Sequence, residues 1–496
     1  MSTGDRGPGE TSSARPRQIV VASNRGPVSF VRDDRGEIVP KRGAGGLVTA
    51  VSGALQEWGG RWIASAMSPE DRERAAAGLI EVDEEDSKYE LRYLPFEDKV
   101  YDAYYNGVSN RILWFVHHYL WDIPRQPRFD GDTYRLWSAY RQVNEAFARA
   151  LHEEGTAMPA APAYLVQDYH LALVPAMLRE LAGDAAISFF SHIPFAGPGY
   201  IRTLPPSIRE EMIAGILGAD LVGFHASPWA ENFLLGCRHL SGAEVDLDRG
   251  AVRWRDRTVQ VRSYPISIDA EGLEADARGE DADRARAQIR EWVGDRKLIL
   301  RVDRADLSKN ILRGFLAYEQ FLMDHPEWRG KVLFLAQLTP SREDVPEYQT
   351  YMEECLEAAA RINRELGQEG WEPIRTVVED NFPLTVAGYQ LYDVLLVNPV
   401  FDGMNLVAKE GPVLNQRNGV LILSQNAGAF PEIGRHAVGI HPFDIEATAA
   451  ALASALEMDE SERKRRGEDL RRRVLANRPR DWLRKQLEDL EEAVAG

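Results

Sequence analysis

DVLLVNPVFDGMNLVAKEGPVLNQRNGVLILSQ, residues 393–425, holds two short apolar runs, DVLLVNP at 393–399 and GVLILSQ at 419–425. Between them a Gly-Met-Asn-Leu turn leads into a helical stretch. The runs are almost continuously apolar rather than alternating, the pattern of strands covered by helices on both faces. A strand, a helical crossover and a second strand of this kind read as one parallel unit. The alternation continues upstream through LILRVD at 298–303, VLFLAQL at 332–338 and TVVED at 376–380, with helical stretches at 310–322 and 446–456. Further upstream stand QIVVASN at 18–24, AYLVQD at 163–168, AISFFSH at 186–192 and DLVGFH at 220–225. The predicted class is α/β with doubly wound parallel sheets. One segment interrupts the series: residues 269–297 are highly charged and carry no strand pattern. This divides the chain into two α/β domains, 18–268 and 269–475. The amphipathic C-terminal stretch, 476–496, is expected to pack back on the first domain, and residues 1–17 read as a disordered tail.

The chain has 496 residues, with 59 Lys plus Arg against 77 Asp plus Glu, a formal charge of −18. Apolar residues make up 44% and charged residues 27%, ordinary proportions for a soluble globular protein. The acidic balance argues against a nucleic-acid partner, which concentrates basic charge to meet phosphate. It leaves room for a small phosphorylated ligand held by a few well-placed cations. Cys237 and Cys355 lie far apart in helical segments, so neither a disulfide framework nor zinc spacing is read. No apolar run has the length of a membrane span or a secretory signal, and a cytoplasmic location is expected.

Five segments carry chemistry. SNRGP at 23–27 and RGAGGLVTAVSGAL at 42–55 place Gly43, Gly45 and Gly46 at a helix start, where backbone N–H groups can approach an anion. This is not the dinucleotide GxGxxG, and a structural turn explains it equally well. In VDRADLSKN at 302–310, Arg304 and Lys309 follow a strand and can clamp a diphosphate, unless the flanking Asp303 and Asp306 mark a solvated surface. In FDGMNLVAKEGPVLNQ at 401–416, Asp402 and Glu410 flank the turn. Carboxylates suit sugar hydroxyls, and the N–H groups of Asn405, Leu406 and Val407 suit an anion; a helix cap and an exposed helix residue are the plainer alternative. QDYHLALVP at 167–175 and SHIPFAGP at 191–198 put Asp168, His170 and His192 at strand carboxyl ends, where open α/β sheets bind ligands. Finally, YYNGVSNRILWFVHHYLWD at 104–122 supplies Tyr105 and Trp114, which with Trp62 offer flat faces to sugars or simply fill a core.

In order along the chain, SNRGP, GAGGLV, YYNGVSNRILW, QDYHL, HIPF, RADLSKN, PSRED, RINRELGQEGW and DGMNLVAKE resemble the trehalose-6-phosphate synthase family, glycosyltransferase family 20. The resemblance covers about 18–485. It implies the GT-B fold, two Rossmann-like domains facing a cleft, and a retaining glucosyl transfer. A nucleoside diphosphate glucose would be the donor and glucose 6-phosphate the acceptor. Carried over, Arg25 and Arg342 hold the acceptor phosphate, while Tyr105, Trp114 and Asp168 line the acceptor sugar. Gly45 approaches the donor, and Arg304 and Lys309 bind its diphosphate. His192 and Asp402 contact the donor glucose, Glu410 the ribose, and Asn405 to Val407 complete the donor side. His192, Arg304, Lys309 and Asp402 form the expected catalytic set. The resemblance implies that the leaving diphosphate takes the acceptor proton, with protein cations standing where a metal would, so neither metal nor cofactor is expected.

The Arg- and Ala-rich composition suggests a high-GC bacterial source, where GDP-glucose users occur, and favours GDP-glucose over UDP-glucose. Expected partners are small-molecule substrates, with no membrane and no nucleic acid; self-association is left open. The sequence departs from the family pattern at Asn310, where Gly is usual, at Pro383 and over 411–419. These departures slightly resemble the pseudo-glycosyltransferases that join cyclitols through a C–N bond, as validoxylamine 7′-phosphate synthase does. The intact SNRGP and GMNLVAKE weigh against that rival. Retention of Arg304, Lys309, Asp402 and Glu410 weighs against a non-catalytic sensor of sugar phosphate.

Overall fold

The structure, a computed structural model, describes residues 17–33, 35–42, 48, 51, 55, 58–84 and 87–495. The tail expected at 1–17 lies outside these except for Arg17, and Gly43, Gly45 and Gly46 lie outside them too.

Among the described residues a ten-stranded sheet organises the first half and a six-stranded sheet the second. In the larger sheet the spatial order is Glu244–Asp246, Ala251–Trp254, Arg257–Ser263, Leu221–Phe224, Ala186–Ser191, Ala163–Gln167, Ile19–Ser23, Gly60–Ser65, Ser87–Leu94 and Leu79–Glu84. Its centre is parallel, and only the pairings at the two edges are antiparallel. The smaller sheet is parallel throughout, in the order Ile374–Val377, Val332–Thr339, Lys297–Arg304, Val394–Val397, Val420–Ser424 and Val438–Ile440. Residues of Ile19–Ser23, Ala163–Gln167, Ala186–Ser191, Val394–Val397 and Val420–Ser424 are all buried, as helices on both faces require.

The strands toward the Glu244–Asp246 edge carry no continuous apolar signal. Arg257–Ser263 alternates buried with half-buried or exposed positions, and Ala251–Trp254 has one buried residue of four. The strand expected at 376–380 is Ile374–Val377; Glu379 and Asp380 instead precede the helix Phe382–Leu391. Pro383 lies in that helix's first turn, where a missing N–H costs no intrahelical bond. Trp62 is fully buried and donates its indole N–H to Ser23 Oγ at 2.7 Å, so it is core.

The chain passes from the first sheet to the second through residues 264–269 and returns at 476–478. The charged segment between the sheets forms the helices Ala270–Asp276 and Glu280–Val293. The final helix, Pro479–Ala495, lies against the strands Ala186–Ser191 and Leu221–Phe224 of the first sheet. Its Trp482 donates its indole N–H to the carbonyl of Tyr264 at 3.1 Å.

Each sheet reverses its winding once near its middle. In the first, Ile19–Ser23 and Ala163–Gln167 are neighbours at that point; in the second, Lys297–Arg304 and Val394–Val397 are. Loops leaving two such strands diverge, and the gap between them is where open α/β sheets take ligands. Arg25 follows the first of these four strands, Asp168 the second, Lys309 the third and Asp402 the fourth.

Candidate active site

A cleft of about 960 Å³ is walled by all four of these residues. Tyr105, Trp114, His192, Arg304 and Arg342 line it too. Trp114 comes from the junction of a wide π-helical segment, Ala103–Leu113, with the α-turn Trp114–His117. The wide segment holds Tyr105 and Trp114 on the cleft while burying Tyr104, Val108 and Ile112.

On the first-sheet side, Arg25 donates to the Tyr105 hydroxyl at 3.2 Å. Burial alone would push the Tyr105 phenol up, but the charges of Arg25 and Arg342 bring it below its ordinary value. Asp168 has the left-handed φ of +74° and stands where the chain turns out of its strand. Its Oδ1 accepts backbone N–H groups of Tyr169 and His192, both at 3.0 Å. Its Oδ2 lies 3.8 Å from His170 Nδ1. Burial pushes the Asp168 carboxyl up to about 6, against those hydrogen bonds and the nearby Arg342 and Arg304.

His192 lines the cleft, yet both ring nitrogens are engaged within the protein. Nδ1 is 3.1 Å from His225 Nε2, and Nε2 is 3.0 Å from the Gln167 carboxamide oxygen. Burial lowers its pKa to about 3, so the ring is neutral. The ring nitrogens that the expected contact with a donor sugar would use are both engaged with protein partners, and the ring braces the loop. The loop's backbone carbonyl faces Gly403 so closely that a Cβ there would sit 1.9 Å from it.

On the second-sheet side, Lys309 Nζ and Asp402 Oδ2 form a salt bridge, and Asn405 donates to the same carboxylate oxygen at 3.0 Å. Burial pushes Asp402 up, but Lys309 more than offsets this and holds it low. Asp402 is thus no helix cap; Asn405 Oδ1 instead accepts the N–H of Ala408. Arg304 is exposed at the mouth, 5.6 Å from the Trp114 ring centroid.

Asp303 and Asp306 are buried rather than solvated. Asp303 pairs with the fully buried Arg301, which also donates to the Lys309 carbonyl at 2.6 Å. Asp306 accepts from Trp114 Nε1 at 3.3 Å across the cleft and from Arg342 Nη1 at 2.5 Å. Arg342 Nε in turn reaches Asn110 Oδ1 at 3.0 Å. Burial would raise Asp306, but Arg342 and Arg304 hold it well below the carboxylate range.

Asn405, Leu406, Val407 and Glu410 do not wall the cleft. Glu410 accepts from the Tyr389 hydroxyl at 3.0 Å, and burial raises its pKa. It is thus a half-buried group beside the cleft, not a solvated helix residue. Residues that sequence reasoning left without a role include Asn24, Gln167, His118, Arg301 and Asp306. Asn24 Oδ1 takes the hydroxyls of Ser65, Tyr101 and Tyr104. Asn24 and Asp306 fall inside SNRGP and RADLSKN, and that membership was their available signal; the partners are far away in sequence.

The described residues contain one group with the spacing of a metal site, His325, Glu327 and Glu457, and none of the three walls the cleft. The cleft can hold two anionic groups beside two hydroxyl-binding carboxylates.

The sequence profile of glycosyltransferase family 20 matches residues 17–492. The trehalose-6-phosphate synthase of Mycobacterium avium is 36% identical over 504 residues, covering 99% of this chain and 98% of that protein. The bifunctional trehalose-6-phosphate synthase/phosphatase of Thermoproteus tenax is also 36% identical, over 94% of this chain; the chain spans 62% of that longer protein. Among solved structures, an E. coli chain bound with UDP-2-fluoro glucose superposes with a TM-score of 0.83 at 29% identity, over 95% of this chain and 98% of its own. The α,α-trehalose-phosphate synthase (UDP-forming) of Burkholderia xenovorans in complex with glucose-6-phosphate gives 0.81 at 28% identity, covering 96% and 100%.

Proposed function

The chain belongs to glycosyltransferase family 20, and from that premise we propose that it transfers glucose, with retention, from a nucleoside diphosphate glucose to glucose 6-phosphate, giving α,α-trehalose 6-phosphate. The observation that carries this reading is the convergence of Arg25, Asp168, Lys309 and Asp402 at the switch points of two facing sheets. Arg25 and Arg342 receive the acceptor phosphate, and Asp168 Oδ2 accepts a sugar hydroxyl. Arg304 and Lys309 receive the donor diphosphate. Asp402 takes a hydroxyl of the donor glucose once the diphosphate draws Lys309 away from it.

In the reaction the bond from the anomeric carbon to the diphosphate oxygen breaks. The acceptor oxygen bonds to that carbon from the same face, and its proton passes to the departing diphosphate. The chain's contribution is positioning and fixed positive charge at the developing anion. The proposal calls for no metal or cofactor and places the enzyme in the cytoplasm. No described helix is long and apolar enough to cross a membrane.

The UDP sugar bound in the E. coli neighbour and the UDP-forming Burkholderia enzyme support UDP-glucose as donor, against the GDP-glucose suggested by composition. Turnover with UDP-, GDP- and ADP-glucose at equal concentration, with glucose 6-phosphate and NMR of the product anomers, tests both points. Failure to form α,α-trehalose 6-phosphate from any of the three rejects the proposal; a GDP preference rejects only the donor assignment.

A further inference from the structure

We infer that His225, outside the cleft wall, is a positioning residue that sets the tautomer of His192 and through it the presentation of Asp168. The chain of contacts begins at the carbonyl of Tyr264, which accepts from Trp482 Nε1 at 3.1 Å and lies 3.3 Å from His225 Nδ1. A carbonyl only accepts, so His225 Nδ1 carries a proton. Burial keeps His225 neutral, leaving its Nε2 a bare acceptor. His192 Nδ1, 3.1 Å from that nitrogen, must then carry its own proton, and His192 Nε2 is bare in turn. The atom 3.0 Å from His192 Nε2 is the Gln167 carboxamide oxygen. A bare Nε2 cannot donate to it, so the series requires the carboxamide to be turned over with its N–H toward the ring. That exchange of two near-identical groups also gives a partner to the Gln167 nitrogen, which has none among the described residues.

With both nitrogens engaged the His192 ring cannot turn, and Trp482 and Phe190 pack beside it, with ring centroids 5.8 and 4.8 Å away. The backbone N–H of His192 is thereby kept on Asp168 Oδ1 at 3.0 Å. Since Tyr169 donates to the same oxygen, Oδ2 is the oxygen left for substrate. Trp482 belongs to the helix that returns from the second half of the chain, so that helix is part of the scaffold of the acceptor side.

The effect on catalysis rests on the proposed transfer to glucose 6-phosphate; the tautomer does not. Two variants and one spectroscopic readout test it. His225→Leu keeps volume and removes the acceptor. His225→Gln can accept from His192 Nδ1–H with its oxygen and donate to the Tyr264 carbonyl with its nitrogen. In 15N-histidine-labelled protein, His192 should show the Nδ1–H tautomer in the wild type and in His225→Gln, and the Nε2–H tautomer in His225→Leu. KM for glucose 6-phosphate should rise roughly tenfold in His225→Leu, as for one lost hydrogen bond to a charged group, with kcat changed less and with recovery in His225→Gln. An Nε2–H tautomer in the wild type overturns the inference whatever the activity. So does an unchanged KM in a folded His225→Leu. A wild type that makes no trehalose 6-phosphate but shows the Nδ1–H tautomer rejects the proposed reaction and leaves the positioning of His192 standing.

Discussion

The guanidinium of Arg342 lies 3.8 Å from the ring centroid of Trp114, on the opposite side of the cleft. Both side chains also donate to the one carboxylate of Asp306, so a cation–π contact and a shared acceptor join the two halves of the molecule. Arg342 engages Asp306 through Nη1 and Asn110 through Nε, which leaves the remaining Nη for a phosphate. Arg342→Lys keeps the charge and loses both the fork and the stack. It should weaken glucose 6-phosphate binding roughly tenfold while leaving donor nucleotide binding within about twofold. Calorimetric titration of each ligand separately measures this. Equal weakening of both would show that Arg342 serves the cleft as a whole.

Arg304 is exposed, faces the cleft and pairs with no carboxylate among the described residues, which suits a group that meets charge when a ligand brings it. Arg304→Ala should lower kcat by about 10²–10³, the usual cost of removing one donor to a developing anion, with acceptor binding nearly intact. Arg25→Ala should do the reverse and raise the acceptor KM. Steady-state kinetics in both substrates separates them; a loss confined to the acceptor in both variants would reassign Arg304.

Asp168 holds its carboxyl near 6 because it is buried, so ionising it costs the fold stability. The folded value lies above the unfolded one. The cost is therefore absent below about pH 4, grows between pH 4 and 6, and is complete above that, at up to about 3 kcal/mol. Asp168→Asn retains an oxygen for the Tyr169 and His192 N–H groups and has no charge to bury. It should be more stable than the wild type at pH 7 and equal to it at pH 4, while its acceptor KM rises. Denaturant midpoints at the two pH values decide the matter; equal stability at pH 7 would mean that the carboxylate is better solvated than its surroundings suggest.

The central strands were legible because burial on both faces leaves an unbroken apolar run, as in VLFLAQL. The strands toward the antiparallel end were not: Glu244–Asp246 is largely exposed, and Arg257–Ser263 buries only Val259 and Val261, so their polar and charged positions read as loops. Position along the chain gave the cations at strand ends, since a residue just past a parallel strand is delivered to one edge of the sheet. It could not tell that Asp306 is wholly buried, since its partners Trp114 and Arg342 are brought in by folding alone. Likewise, HIPF pointed to His192 but could not show that His225, 33 residues away, occupies its ring nitrogen.

At Asn310, where the resemblance leads one to expect Gly, φ is +60° and ψ +39°, a left-handed position that Asn tolerates better than most other side chains. Its amide also donates to the carbonyls of Asn398 at 2.9 Å and Pro442 at 2.7 Å. Asn310→Gly should lose those bonds at a cost of about 1–3 kcal/mol. Asn310→Ala should lose them and add about 1 kcal/mol of left-handed strain. Chemical denaturation of the two variants should therefore separate them by about that increment. If they coincide, the hydrogen bonds alone account for the residue.

Lys409 and Glu432 bind the two chain crossings together. The Lys409 ammonium is fully buried, 2.6 Å from Glu432 Oε2 and 2.7 Å from the carbonyl of Ile266 on the outgoing crossing. Glu432 Oε1 accepts from Asn477 on the returning one at 2.7 Å. Nearby, Ser267 Oγ donates to the Val474 carbonyl at 3.3 Å. Lys409→Met leaves a carboxylate buried without its cation and should cost about 3–5 kcal/mol. The double variant Lys409→Met, Glu432→Leu removes both charges and should regain most of that, since an apolar pair of similar volume is often as stable as a buried ion pair. Lys409 sits one residue from Glu410 on the helix Val407–Leu414, which Asn405 ties to Asp402. Restored stability combined with reduced kcat in the double variant would therefore mean that the pair sets how the two halves meet over the substrates. Restored stability with unchanged kcat would confine its role to holding the crossings, and a Lys409→Met cost below about 1 kcal/mol would show that water reaches the pair.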